Sequence, residues 1–130
     1  MANLRDIGEV PAVDVWGDTV KARAIVGEQA SLAVVELAPN AIVPEHRHAN
    51  EQIGLCITGS ITFTIDGERR ELGPGGTWRI LSNAAHDAVA GPDGAVVIDI
   101  FAPARTDWET LPASAPRPPV WPRGSGSEQG

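Results

Sequence analysis

With one cysteine, one lysine, three histidines and no long apolar run in 130 residues, this chain is first constrained by what it lacks. Cys56 stands alone, which excludes an internal disulfide framework and fits a reducing, cytoplasmic compartment. Lys21 is the single lysine and the net charge is −7. That balance argues against nucleic acid and against an anionic membrane surface, since both attract basic patches. It does not exclude a small acidic substrate, because one local arginine can outweigh a weak global field. No run of about 18 apolar residues occurs, so no helical membrane span is expected. Residues 1–10 carry Arg5, Asp6 and Glu9 and lack the apolar stretch of a secretory signal. Helical periodicity is missing as well: apolar residues never recur at helix spacing over a window of about 11 residues.

What is present is a succession of short period-2 stretches between turn signals. Strands are expected over 10–16, 19–26, 31–37, 52–58, 61–65, 77–81, 86–90 and 95–101. Gly59-Ser60 and Pro92-Asp93-Gly94 read as breaks between strands, and Pro44 as a strand edge or bend. Asp66-Gly67 is a strong hairpin signal, because a type I′ turn needs positive φ at both positions. Gly73-Pro74-Gly75-Gly76 forms another tight turn. Roughly ten strands at this spacing predict an all-β antiparallel sandwich or small barrel. The length suits one domain, expected over 1–111. From Pro112 the composition changes: 112–130 holds five prolines and ends in a Gly/Ser-rich stretch. Such a tail cannot build its own core and is expected to be mobile or wrapped on the surface. Trp121 within it either docks on the domain or a partner chain, or stays exposed.

The histidines are His46, His48 and His86. On an extended strand, residues 46, 48 and 52 share one face. Imidazoles at that spacing suit a divalent ion such as Zn, Ni, Fe or Mn. A bare H-x-H pair is also common surface decoration. His86, just past a second Gly/Pro-rich turn, has no other explanation in the chain.

The order His46-x-His48-x3-Gln52, then six residues to Gly59, resembles the first motif of the cupin superfamily. Pro74-x-Gly76 followed by His86 resembles its second. The likeness spans roughly residues 20–108. It implies a cupin-type antiparallel jelly-roll barrel, in agreement with the strand pattern. It also implies one divalent metal ion held inside the barrel by His46, His48, Gln52 and His86. Most cupins carry a glutamate where this chain has Gln52. A neutral amide leaves the site one negative charge short, which makes the ion a stronger Lewis acid toward an anionic ligand. Glu51 points to the opposite face of a regular strand. Asn40 and Gly76 replace a glycine and an aspartate common in the family, both at turns.

Two stretches, Asn50-Glu51-Gln52-Ile53-Gly54 and the run from Asp99 to Trp108, are similar to the small pectin-degradation cupins of the KdgF type. Those proteins open the ring of 4,5-unsaturated uronate monomers. The resemblance implies a substrate pocket lined by Asp99, Phe101 and Arg105. The chemistry of these residues agrees. Asp99 and Phe101 share a strand face, and Pro103 turns the chain so that Arg105 can approach the same cavity. Arginine offers a planar fork for a substrate carboxylate, and a carboxylate beside a metal can shuttle a proton. Each residue also has an ordinary use: Asp99 as a strand cap, Phe101 as core, Arg105 as the partner of Asp107. Still, a carboxylate inside the apolar run 96–101 calls for a reason. Gly54, Cys56 and Thr58 lie on the metal-facing parity and would leave room for a ligand. Cys56 reads best as a small buried hydrophobe.

The expected function is therefore a metal-dependent lyase, isomerase or hydratase acting on a small unsaturated sugar acid. A three-histidine Fe(II) dioxygenase is the alternative, and a non-enzymatic sugar-acid-binding or sensor cupin a third. A homodimer is expected, because an apolar face over 10–16 would be left partly open by a lone barrel.

Overall fold

The computed structural model describes residues 2–122. The rest of the expected tail, 123–130, lies outside the described residues. Eight strands carry the fold: β1 (Val13–Trp16), β2 (Val20–Val26), β3 (Ser31–Leu37), β4 (Ile42–His46), β5 (Glu51–Ile65), β6 (Glu68–Leu72), β7 (Thr77–Ile80) and β8 (His86–Ala102). Helix is confined, among the described residues, to two 3-10 turns, Ile7–Glu9 and Thr106–Thr110. None is long and apolar enough to cross a membrane.

Two of the expected breaks are bends inside long strands, so that 52–58 joins 61–65 and 86–90 joins 95–101, while β4 and β6 lie outside the ranges expected. β5 runs through Gly59-Ser60, and β8 runs through Pro92-Asp93-Gly94. Gly59 and Gly94 both take φ of 76°, a region that costs glycine little. They pass so closely that a Cβ on Gly59 would lie 2.0 Å from the Gly94 carbonyl oxygen. Bulges at Cys56/Thr58 and Gly59/Ile61 add curvature. The two long strands thus bend together and belong to two layers at once. In one layer the first half of β5 pairs with β7 and with the second half of β8, and β3, β2 and β1 follow. In the other, the second half of β5 pairs with β6 and with the first half of β8, which carries β4. All pairings are antiparallel. The expected barrel is not closed by hydrogen bonds; the hydrogen-bonded path ends at β1 and β6. Side chains such as Val35, Ile61, Ile80 and Val97 fill the space between the layers.

Strict alternation decides which residues face inward. On β8, Val97, Asp99 and Phe101 are buried while Ile100 is 45% exposed. On β5, Gln52, Gly54 and Cys56 point in, and Ile53 and Leu55 point out. On β7, Trp78 is inside and Arg79 outside. The apolar face of the N-terminal segment is partly covered by the chain itself, with Val13, Val15 and Trp16 left half-buried. Val10 is buried, and Val13, Val15 and Trp16 pack on the core. Exposed aliphatics gather instead at Ile25, Leu32, Ile53, Leu55 and Ile100. Register places Leu32 opposite Ile100 and Ile100 opposite Ile53, so they form a row on the outer face.

The start of the Pro-rich segment follows β1. Pro112 accepts a bond from the Asp14 amide at 2.8 Å, and the Ser114 amide donates to Ala12 at 2.9 Å. Farther on, Arg117 pairs with Glu36, and the Val120 amide donates to Glu36 Oε2 at 2.9 Å. Trp121 is half-buried.

Candidate functional site

β4 ends at His46, a turn carries His48, Gln52 follows on β5, and His86 opens β8. His46 and His86 face each other across the β4–β8 pair. Residues 46, 48 and 52 therefore do not share one continuous strand; the turn at 47–50 brings them together, which corrects the single-strand expectation. One nitrogen from each of the three rings lies within 4.8 Å of the others. That spacing suits a single ion.

The ring tautomers follow from the hydrogen bonds. Each Nδ1 lies on a backbone carbonyl: His46 on Pro44 at 2.8 Å, His48 on Asn50 at 2.9 Å, His86 on Ala84 at 2.8 Å. A carbonyl only accepts, so each Nδ1 carries the hydrogen and each neutral ring keeps a lone pair on Nε2. His86 Nε2 is buried without a hydrogen-bond partner. His48 Nε2 faces Gln52 Oε1 at 3.2 Å, acceptor against acceptor. A converging set of lone pairs with no hydrogen among them, one of them buried, fits a cation, with the backbone carbonyls holding the rings in place. Burial chiefly, with the nearby Arg105 charge adding to it, pushes the His86 pKa down to about 4, against the bond to Ala84. His48 is lowered too, chiefly by burial. Both rings are thus neutral and able to ligate near pH 7.

Behind Gln52 lies a buried carboxylate. Asp99 Oδ1 accepts from Gln52 Nε2 at 3.0 Å and from Trp78 Nε1 at 2.7 Å. Burial raises the Asp99 pKa to about 6, although both bonds and the Arg105 charge oppose the shift. Gly54 sits between β7 and β8 at this level, opposite Trp78 on one side and Asp99 on the other. A Cβ there would meet Trp78 Nε1 at 2.0 Å and Asp99 Oδ1 at 2.4 Å. The space at Gly54 serves that hydrogen bond, not a ligand as the parity argument implied. Cys56 is buried with its thiol near the Thr58 carbonyl, and burial raises its pKa.

Asn50 and Ser31 steer the chain after β8. The Asn50 amide donates to the Pro103 carbonyl at 2.6 Å, and Ser31 Oγ accepts from the Arg105 amide at 3.0 Å. Arg105 is thereby turned over the site, its guanidinium 4.9 Å from the Phe101 ring centre and 4.8 Å from Trp108. Its Nε and Nη2 donate to the two Asp107 oxygens at 3.0 Å each, so the surface pairing and the approach to the cavity coexist. His46, Gln52, His86, Asp99, Phe101 and Arg105 all line one cavity of about 80 Å³. That holds on the order of half a dozen water-sized groups, less than a whole sugar acid needs. A monosaccharide would extend into the mouth.

Three aromatic residues carry more than the sequence disclosed. Trp108 packs edge-on against Phe101 at 5.2 Å, and Trp16 lies 5.1 Å from the His46 ring. A register shift between Asp14 and Trp16 lets adjacent Val15 and Trp16 both reach the cavity, which strict alternation would forbid. Trp78 is the third, facing in from β7.

An open two-layer β fold around a three-histidine cluster defines a class, and the sequence comparison agrees: the cupin domain model matches residues 33–101, and the chain belongs to that family. Among curated proteins it is 33% identical over 94 residues to the pectin degradation protein KdgF of Dickeya dadantii, covering 71% of this chain and 86% of that one. The solved structure of KdgF from a Halomonas species superposes with a TM-score of 0.74 at 26% identity, covering 82% of this chain and 98% of the other. An RmlC-like cupin from Shewanella frigidimarina shares the fold, with a TM-score of 0.76, 22% identity, and 82% and 96% of the two chains covered.

Proposed function

We propose that this chain is a metal-dependent, non-redox enzyme that opens the ring of a 4,5-unsaturated uronate. The observation that carries the reading is the meeting of three kinds of group on one cavity: the His46 and His86 imidazoles of the three-histidine cluster, the buried Asp99 carboxylate and the Arg105 guanidinium. The similarity to the pectin degradation proteins supports the same substrate class. A divalent ion held by His46, His48, Gln52 and His86 would polarise the sugar oxygens and stabilise negative charge that develops there.

The chain's own residues do the rest. Asp99 exchanges the proton that hydration of an enol ether and tautomerisation require. Gln52 and Trp78 both bind Oδ1, which leaves Oδ2 for that exchange. A pKa near 6 is close enough to neutrality for transfer in either direction. Arg105 meets the substrate carboxylate with the hydrogens that Asp107 does not engage, including those on Nη1. Phe101 and Trp108 hold the guanidinium from below by cation–π contact.

The test is loss of the unsaturated uronate's ultraviolet absorbance, followed in air and under argon. Asp99→Asn keeps an oxygen for both hydrogen bonds but cannot shuttle a proton. Its rate is expected to fall roughly 10²–10⁴-fold with metal content unchanged. Arg105→Lys keeps the charge and loses the fork, so KM rises more than kcat falls. Turnover that stops under argon, with Asp99→Asn harmless, would transfer the site to dioxygenase chemistry.

A further inference from the structure

Gln52 is a liganding amide only if its oxygen faces the histidines, and an amide can present either end. Its orientation is decided from behind. The Asp99 carboxylate accepts only, so it takes Nε2 at 3.0 Å and turns Oε1 toward His48. Asp99 in turn is held by the indole of Trp78 at 2.7 Å. That indole is anchored by Phe63, with ring centres 4.5 Å apart, and it reaches the carboxylate only because Gly54 has no side chain.

We propose that Trp78 is a positioning residue for the metal centre: its Nε1–H, admitted through the gap at Gly54, fixes Asp99, and Asp99 fixes the Gln52 amide with its oxygen toward the three histidines. The inference rests on the metal-centre reading above and extends it to two residues, Trp78 and Asp99, that hold no metal themselves. It also explains the glutamine. A glutamate at position 52 would set a carboxylate oxygen about where Nε2 now lies, 3.0 Å from Asp99 Oδ1, with no hydrogen between them. The neutral ligand and the buried carboxylate belong together.

Three variants test the wiring by titrating metal-free protein with Co(II) at pH 7.5 and recording affinity and the visible absorption bands. Trp78→Phe keeps the ring against Phe63 and removes only the N–H. Its Co(II) affinity is expected to fall about 10–100-fold, the usual effect of losing a group that orients a metal ligand. Asp99→Asn retains an acceptor oxygen and should bind within about threefold of wild type. Asp99→Leu has no acceptor and should lose affinity like Trp78→Phe. The Asn/Leu contrast stands even if Trp78→Phe fails to fold. A role confined to packing would leave affinity and bands unchanged in Trp78→Phe. Wild-type affinity in both Trp78→Phe and Asp99→Leu overturns this inference alone. Absence of Co(II) binding by the wild type overturns the metal-centre reading and this inference with it.

Discussion

Gly54→Ala is the smallest change that tests the architecture of the site. The added methyl would sit 2.0 Å from Trp78 Nε1, 2.2 Å from Cε2 and 2.4 Å from Asp99 Oδ1. Contacts that short cannot persist, so the indole or the carboxylate must move. The indole is braced by Phe63, and Asp99 is held within β8 between β3 and β5. Overpacking of this kind costs about 1–3 kcal/mol. Losing the buried indole–carboxylate bond adds about 1.5–3 kcal/mol, because the acceptor is charged. A total of about 2.5–6 kcal/mol corresponds to a Tm lowered by about 10 °C or more in a domain of this size. Gly73→Ala is the control, since its Cβ would meet nothing nearer than 4.0 Å, and it should stay within about 0.5 kcal/mol of wild type. Both proteins would be unfolded in urea at pH 7.5 and followed by tryptophan fluorescence. If Gly54→Ala is less than about 1 kcal/mol below Gly73→Ala, the crowding at Gly54 is not as described.

His46→Ala and His86→Ala should each remove the metal while leaving the fold intact, because the core is apolar and independent of the ion; full occupancy by elemental analysis in both would refute the assignment. In metal-free protein, two buried groups oppose each other in acid. Between pH 6.5 and 4 the unfolded chain takes up a proton at His86 that the folded chain refuses, so acidification lowers stability. Between pH 6 and 3.8 the folded chain takes up a proton at Asp99 that the unfolded chain refuses, so acidification raises it. Asp99→Asn should therefore unmask an acid loss approaching about 1.4 kcal/mol per pH unit, and urea midpoints that run parallel to wild type from pH 6.5 to 4.5 would contradict it. The expected homodimer is checked by light scattering at micromolar concentration; Ile53→Asp, placed in the exposed aliphatic row, should shift the mass to a monomer, and a monomeric wild type counts against assembly.

Some of this was legible in the chain alone. Turn chemistry and period-2 patterning gave an all-β class, because Asp66-Gly67 and Gly73–Gly76 can do little else between apolar runs, and the resemblance to the cupin motifs picked out His46, His48, Gln52 and His86. Alternation also put Asp99 and Phe101 on one face correctly, since the side-chain period in a strand is two. The failures share a cause. Gly59 and Gly94 read as breaks because glycine and proline weaken strands locally, yet each lies where two long strands bend across one another, and only the partner strand reveals that. The chain order said nothing of Trp16 beside His46, which depends on a bulge, or of Arg105 stacked on two rings, which depends on Asn50 and Ser31 reaching over from parts of the chain distant in sequence. Nor could it say whether Trp78 or Arg79 faces inward. Local propensity and spacing are properties of the chain and were enough for the fold class and for a candidate set of histidines. The orientation of an amide, the tautomer of a ring and the gap at one glycine are set by atoms far apart in sequence, so tertiary packing alone decided them.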